Sequence, residues 1–246
     1  MKDEINVYDK AKVSLDTGEI KGFDKIIFPN VIRRRENEMV KSELQAVKPE
    51  RILDFGCGGG WLSKVLASSC ECEVVGIDFS RSLINSAKRA VPTANFIVGD
   101  CANLPFREKS FDVIVGIAIL HHLDISSALT ECNRVTAEGS LLLFMEPNRL
   151  NPISALGRKL SPMEIHTVGE QSIILRELVG FFTNARLIIK EIKHIFPYSF
   201  GLARLFCRWS VPKIMISLVC TSEKLVEKIP IIKLLSSTFF IVVVRN

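Results

Sequence analysis

The chain lacks both long apolar runs and the cysteine spacing of metal sites. Although 48% of its 246 residues are hydrophobic and the mean hydropathy is +0.25, no uninterrupted apolar run reaches the ~18 residues that cross a bilayer. The first residues are charged and contain no apolar core of a secretory signal. The seven cysteines show no Cys-x-x-Cys spacing, so we expect reduced thiols, no metal and a cytoplasmic protein.

Strong charge of either sign is also absent. The 32 Lys and Arg residues against 27 Asp and Glu give a net charge of +5 and a pI near 8.8. This mild excess argues against nucleic acid as a partner but suits an anionic membrane surface or an anionic substrate. The length fits one α/β domain with additions.

The most informative stretch is residues 51–60, Arg-Ile-Leu-Asp-Phe-Gly-Cys-Gly-Gly-Gly. An apolar run breaks into glycines, and residues 61–68 then have helical spacing, which predicts a strand, a tight loop and a helix. Glycines let a ligand approach the bare backbone. Asp54, just before the turn, would repel a phosphate and attract an ammonium group.

A dinucleotide site is the first alternative to consider. The Gly-x-Gly-x-x-Gly pattern, started at Gly56, places Trp61 where a small residue must pack against the strand. The register that starts at Gly58 fails as well. The glycines therefore argue against a nicotinamide-dependent dehydrogenase.

Further apolar segments follow at the spacing of a βα fold. Residues 73–78 and 95–100 each end in an acid, Asp78 and Asp100, and residues 110–122 and 139–148 contain two more apolar strands. Connections of this length predict parallel strands joined by right-handed crossovers.

The pattern Asp54-x-Gly56-x-Gly58-x-Gly60, with Asp78 and Asp100 ending the next two strands, resembles class I S-adenosylmethionine-dependent methyltransferases of the type 11-like kind. The resemblance is close over residues 50–148 and looser elsewhere. It implies S-adenosylmethionine as cofactor and S-adenosylhomocysteine as product. The cofactor-binding positions that it implies are Asp54, Gly56, Cys57, Gly58 and Gly60 for the methionyl part, Asp78 for the ribose, Phe79, Asp100, Cys101 and Ala102 for the adenine, and Ile117 for the sulfonium side.

The family fold implies a Rossmann-like, mostly parallel sheet of seven strands in which strand seven is antiparallel between strands five and six. We assign residues 1–48 to an N-terminal cap and helix and residues 49–246 to one methyltransferase domain, divided into a cofactor-binding core (49–148) and a substrate side (149–246). Residues 197–236 are a helical insertion before the last strand. This insertion either contacts a membrane or lipid-like substrate, or forms an accessory layer that packs on the sheet or dimerises; the oligomeric state stays open.

His121 and His122, just past the fourth strand, are the candidates for a general base, because imidazole titrates near neutrality. A structural hydrogen bond or a cofactor contact is the alternative role. Glu146, Asn148 and Arg149, after strand five, could touch substrate.

The acceptor class is only partly bounded. In place of the Asn- or Asp-Pro-Pro-Tyr element of enzymes that methylate nucleobase amino groups, the chain has residues 116–120, Gly-Ile-Ala-Ile-Leu. Cys101 and Cys132 lack the Pro-Cys context of the cytosine-carbon enzymes. We therefore expect methyl transfer to an oxygen, nitrogen or carbon atom of a small or lipid-like acceptor. A non-catalytic membrane- or partner-binding module on the same fold is the alternative.

Overall fold

A single seven-stranded sheet organises the protein in the computed structural model, which describes residues 27–148, 150–153, 155–156, 173–195, 213–226, 229 and 236–246. The strands are β1 (Arg51–Phe55), β2 (Glu73–Asp78), β3 (Asn95–Val98), β4 (Phe111–Ile117), β5 (Thr136–Pro147), β6 (Leu187–Ile195) and β7 (Thr238–Arg245). Their order across the sheet is β3-β2-β1-β4-β5-β7-β6. All neighbouring pairs are parallel except those of β7, which runs antiparallel to β5 and β6. The predicted fold class is confirmed.

The insertion of β7 explains the apolar end of the sequence. Its residues 238–243 are all buried, because β5 and β6 flank the strand within the sheet. A strand covered on both faces reads as a continuous hydrophobic run. The strand at the sheet edge is β6, which mixes apolar and charged residues, as suits an edge strand.

The described helices lie between or beside these strands. They are α1 (Ile27–Val47), α2 (Trp61–Ala67), α3 (Arg81–Ala90), α4 (Ile125–Val135), α5 (Leu175–Asn184) and α6 (Lys213–Val226), with a 3-10 turn at Leu120–His122. The side chain of Ser80 accepts a hydrogen bond from the Leu83 amide, and that of Asp124 accepts one from Ser126, so two helices begin at polar caps.

Successive strand residues serve two different cores. Leu53 and Phe55 of β1 pack in a cluster with residues of α4 and α5, whereas Ile52 packs with residues of α1 and α2 on the opposite face. This alternation follows from the two-residue period of a strand. Asp54 is two residues from Ile52, so its side chain points to the same face of the sheet, the face on which α2 packs.

Some element boundaries differ from the prediction. The sequence pattern predicts a helix over residues 31–48, and helix α1 begins earlier, at Ile27. It ends at Val47, and Lys48, before Pro49, takes a φ of 47° and donates its amide to the Leu44 carbonyl. Strand β5 begins at Thr136, directly after α4 and before the predicted Gly139. From the residues alone, a helix over 171–182 is expected, and helix α5 instead covers Leu175–Asn184.

One expectation about the cysteines is wrong. Cys70 and Cys72, expected to be reduced thiols, are joined as a disulfide in the turn between α2 and β2. The turn brings their Cα atoms to 5.4 Å, within the range that a disulfide spans. Cys57, Cys101 and Cys132 are free, as expected, and all three are buried.

Helix α6 lies within the predicted insertion, 197–236. Its Val219 packs against the core that contains Val40 and Leu44 of α1. Leu218 and Leu225 are 64% and 63% exposed, so the helix has an inner and an outer side. None of the helices in the described ranges is both long and apolar enough to cross a membrane.

Candidate functional site

The glycine loop after β1 takes left-handed conformations at three positions. Gly56, Gly58 and Gly60 have φ values of 74°, 51° and 84°. A Cβ on Gly56 would overlap the side chain of Ile119, and one on Gly60 would lie 2.9 Å from the Cβ of Ala87. A Cβ on Gly58 would meet nothing within 4 Å. Gly56 and Gly60 are therefore required by packing, whereas Gly58 borders open space that could admit a ligand.

The loop lies where the chain changes direction across the sheet. Strand β1 neighbours both β2 and β4, so the connections after β1 and β4 leave toward opposite sides. In open α/β sheets, ligands bind outside the carboxyl ends of the strands at such a switch point. The packing of Ile119, from the connection after β4, against Gly56 brings these two connections into contact.

Asp54 lies beneath the loop and is only 1% exposed. Its Oδ2 accepts a hydrogen bond of 2.5 Å from the Ser63 hydroxyl of α2. Burial raises the pKa of Asp54 to about 7, while the hydrogen bonds to Ser63 oppose this rise and the nearby Asp78 adds to it. The side chain thus braces β1 against α2, and its predicted attraction for an ammonium group stays a prediction.

Asp78 ends β2 beside the loop. Its Oδ2 accepts the Gly58 amide and its Oδ1 accepts the Ser80 amide, both at 2.9 Å. Burial raises the pKa of Asp78, and these two amide bonds oppose the rise. A carboxylate has about four lone-pair sites. Two amides leave Asp78 the capacity to accept two further hydroxyl groups, which the predicted ribose role would require.

The predicted adenine end lies after β3. Asp100 is exposed, and its Oδ1 accepts the Ala102 amide at 2.8 Å, which forms a tight turn around Cys101. Burial raises the pKa of the Cys101 and Cys57 thiols. Both thiols therefore stay protonated near neutral pH and are poor nucleophiles. Phe79 and Ile117 are half-buried next to Asp78 and at the end of β4.

A buried hydrogen-bond network lies at the ends of β4 and β5. Glu146 accepts the amides of Ile119 and Leu120 at Oε1, at 2.9 and 2.8 Å. Its Oε2 lies 2.7 Å from His121 Nδ1. The His122 ring, half-buried, has its centroid 4.0 Å from that of His121.

Residues predicted to touch substrate have other partners. The Asn148 amide donates to the Ser236 carbonyl at 2.8 Å, and its Oδ1 accepts the Leu150 amide, so Asn148 joins the end of β5 to the segment before β7. Glu146 faces the connection after β4. A carboxylate directly after the apolar residues 141–145 is the sequence signal that could have identified it as a buried, bonded group. Arg149 lies outside the described residues.

Two of the three arginines of α1 contact neighbouring helices. The Arg33 guanidinium lies 4.7 Å from the centroid of the Trp61 ring, at the start of α2. Arg35 Nη1 lies 4.0 Å from the buried carboxylate of Glu223 in α6. Arg34 forms an exposed ion pair with Glu38.

Of the described residues, no cluster of three His, Cys, Asp or Glu side chains could hold a metal ion.

A family model described as a methyltransferase domain matches residues 53–144. This stretch contains the glycine loop, Asp78, Asp100 and His121. Residues 53–144 are a class I S-adenosylmethionine-dependent methyltransferase domain. The cofactor of this domain is S-adenosylmethionine, and the open side of Gly58 next to Asp78 fits it.

Two curated relatives and one solved structure show what this chain is similar to. Demethylmenaquinone methyltransferase of Thermotoga maritima is 34% identical over 102 residues, or 41% of this chain and 44% of that protein. Phthiotriol/phenolphthiotriol dimycocerosates methyltransferase 1 of Mycobacterium ulcerans is 28% identical over 140 residues, or 55% of this chain and 52% of that protein. The chain spans about half the length of these curated relatives.

The crystal structure of the [4+2]-cyclase SpnF superposes with a TM-score of 0.61 at 19% identity, covering 86% of this chain and 81% of that one. A likeness at this identity concerns the fold alone. This likeness therefore specifies neither the reaction nor the acceptor.

Proposed function

We propose that the protein transfers the methyl group of S-adenosylmethionine to an oxygen, nitrogen or carbon nucleophile of a small or lipid-like acceptor. The observation that carries this proposal is the open face of Gly58 beside the buried carboxylate of Asp78, at the switch point of the sheet. When bound, S-adenosylmethionine supplies a methyl group on a positively charged sulfur, so the chain mainly has to align the acceptor and exclude water.

The proposed cofactor contacts follow the edge of the sheet. Asp78 would accept the ribose hydroxyls, because its carboxylate has lone pairs beyond those that the two amides use. Asp100, Cys101 and Ala102 would border the adenine, with Phe79 against its face. The glycine loop would lie along the methionyl part, and Ile117 below the sulfonium side. Asp54 would act chiefly by holding the loop through Ser63.

The acceptor class rests on two kinds of support. The relatives are named for a menaquinone precursor and for dimycocerosates, which favours a lipid-like acceptor. Helix α6 exposes Leu218 and Leu225, which are two helical turns apart and therefore on the same side of the helix. The chain also carries a net charge of +5. We propose that this outer side of α6 contacts a membrane surface or a lipid-like substrate, with the protein in the cytoplasm.

The domain division remains part of the proposal. Residues 1–48 would be a cap and helix on a single domain of residues 49–246. Val40 and Leu44 of α1 are buried in the same core as Leu62 and Leu66 of α2, so the helix at least belongs to the folded unit.

Thermal unfolding with and without S-adenosylhomocysteine tests the cofactor. Ligand at 100 times its dissociation constant stabilises a fold by ~2.7 kcal/mol, which raises the unfolding temperature of a chain of this size by roughly 5–10 °C. We expect that shift in protein stripped of bound ligand and its loss in Asp78→Ala. A folded, stripped wild type without any shift would refute methyl transfer and favour a non-catalytic membrane-binding module, for which the exposed leucines of α6 are the supporting observation.

A further inference from the structure

Glu146 is a fully buried carboxylate at the end of β5 that accepts three hydrogen bonds. Two come from the backbone of the connection after β4, and the third partner is His121 Nδ1. Burying a carboxylate destabilises the folded protein unless its lone pairs accept hydrogen bonds. Here both oxygens are used, and all three partners belong to three consecutive residues.

The backbone of the connection is shaped to reach this carboxylate. Ala118 takes a φ of 54°, which is uncommon for a residue with a side chain, and its amide donates to the Met145 carbonyl at 2.7 Å. The chain then turns so that the next two amides point at Glu146 Oε1. Non-glycine residues held in this conformation are found where the surrounding structure imposes them, often at functional sites.

The same connection after β4 also packs against the glycine loop. The Ile119 side chain packs against Gly56 so closely that a Cβ there would overlap it. Glu146 therefore fixes, through adjacent residues, both the surface that borders the glycine loop and the orientation of His121.

The bond to Glu146 decides which nitrogen of His121 carries the proton. A carboxylate can only accept, so Nδ1 at 2.7 Å from Oε2 must donate. In a neutral imidazole this leaves Nε2, on the other side of the ring, without a proton. His121 is then oriented as a proton acceptor.

We propose that Glu146 is a positioning residue that holds His121 in the Nδ1–H form, so that His121 Nε2 takes the proton of a hydroxyl-bearing acceptor during methyl transfer. This inference rests on the function proposed above and narrows its acceptor class. As the acceptor oxygen bonds to the methyl carbon, the carbon–sulfur bond breaks and its electron pair stays on sulfur. The hydroxyl proton moves to Nε2, which leaves a methyl ether, S-adenosylhomocysteine and an imidazolium that Glu146 stabilises.

The matched variants are Glu146→Gln and, as a control on the neighbouring ring, His122→Asn. The amide oxygen of Glu146→Gln can still accept the Ile119 and Leu120 amides, but its NH2 group would face His121 Nδ1 and donate to it. The proton of His121 would then move to Nε2. This variant therefore changes the tautomer while it keeps the shape of the network.

The first measurement is the tautomer of His121, read from long-range ¹H–¹⁵N correlations in the full-length, ¹⁵N-histidine-labelled protein. We expect Nδ1–H in the wild type and in His122→Asn, and Nε2–H in Glu146→Gln. A wild type that carries the proton on Nε2 overturns the proposal, whether or not any variant folds.

The second measurement is turnover with a panel of phenols, hydroquinones and alcohols, beside S-adenosylhomocysteine binding. Loss of a general base typically costs roughly 10²–10⁴-fold in rate. We expect Glu146→Gln and His121→Asn to lose at least ~100-fold in kcat while they bind S-adenosylhomocysteine within about threefold of wild type. A merely structural role would instead lower binding and the unfolding temperature together.

The outcomes separate this inference from the proposed function. If Glu146→Gln keeps its kcat, or if the wild type methylates only acceptors with no proton to lose, such as tertiary amines, the inference is overturned and methyl transfer stands. If the wild type does not bind S-adenosylhomocysteine, both are overturned.

Discussion

Three glycines with positive φ allow the cost of folding to be separated from the cost of binding. Gly58 and Gly139 have φ values of 51° and 78°, and a Cβ on either would meet nothing within 4 Å. Gly58 lies in the loop after the carboxyl end of β1, whereas Gly139 lies near the amino end of β5, at the opposite end of the parallel strands. Gly56 has a φ of 74° and its Cβ would overlap Ile119.

The expected folding costs follow from these environments. An alanine held in a left-handed conformation costs roughly 1–2 kcal/mol, so Gly58→Ala and Gly139→Ala should destabilise the protein equally. At about 2–4 °C per kcal/mol, each should lower the unfolding temperature by about 2–8 °C. Gly56→Ala adds the overpacking of Ile119, roughly 1–3 kcal/mol, for a total of about 2–5 kcal/mol.

Binding should distinguish the two variants that fold equally well. If the cofactor lies against Gly58, the added methyl group occupies its space, and S-adenosylhomocysteine should bind at least ~10-fold more weakly, or ~1.4 kcal/mol. Gly139→Ala should bind as the wild type does. Calorimetric titration beside urea unfolding measures both quantities. Equal affinities for Gly58→Ala and Gly139→Ala would refute the placement of the cofactor on this loop.

Two further expectations concern charge and the outer side of α6. Because burial holds the pKa of Asp54 near 7, against an ordinary value of 3.8, the folded protein keeps a proton that the unfolded chain releases. The free energy of unfolding should therefore fall as the pH rises from 4 to 7, by at most ~1.4 kcal/mol per pH unit for this group. Over that range, urea unfolding should show Asp54→Asn becoming more stable relative to the wild type. If Asp54→Asn instead became less stable relative to the wild type, Asp54 would be ionised in the folded protein. Replacing both Leu218 and Leu225 by Ser should leave the unfolding temperature within ~2 °C, because the two side chains are exposed. The same change should reduce co-sedimentation with anionic vesicles, and unchanged co-sedimentation would exclude this side of α6 as the membrane contact.

The sequence predicted the features that depend on local pattern. The strands follow from apolar runs, whereas the position of β7 between β5 and β6 follows from the family resemblance. The acids Asp78 and Asp100 were found because each directly follows a run of apolar residues. Such features require only neighbours in sequence.

The contacts that sequence reasoning missed join residues far apart in the chain. Glu146 reaches Ile119 across 27 positions because β4 and β5 are adjacent in the sheet. Asp54 meets Ser63 rather than open solvent because the strand period directs it toward α2. Arg35 lies near Glu223 only because α1 and α6 lie side by side. Each depends on a packing geometry that no local pattern specifies.

The site consists of two parts with different proposed functions. A protein of the same fold is named as a [4+2]-cyclase, so the fold alone does not determine the reaction. In this chain the loop after β1 and Asp78 form the part proposed to hold the cofactor, and Glu146 with His121 forms the part proposed to take a proton.

Single substitutions should separate the two duties. Gly58→Ala should weaken cofactor binding and leave the His121 tautomer unchanged, because Glu146 and its partners are not altered. Glu146→Gln should do the reverse. If either substitution changed both properties, the contact between Ile119 and Gly56 would couple the two parts, and the proton-accepting role of His121 could not be assigned separately from the cofactor loop.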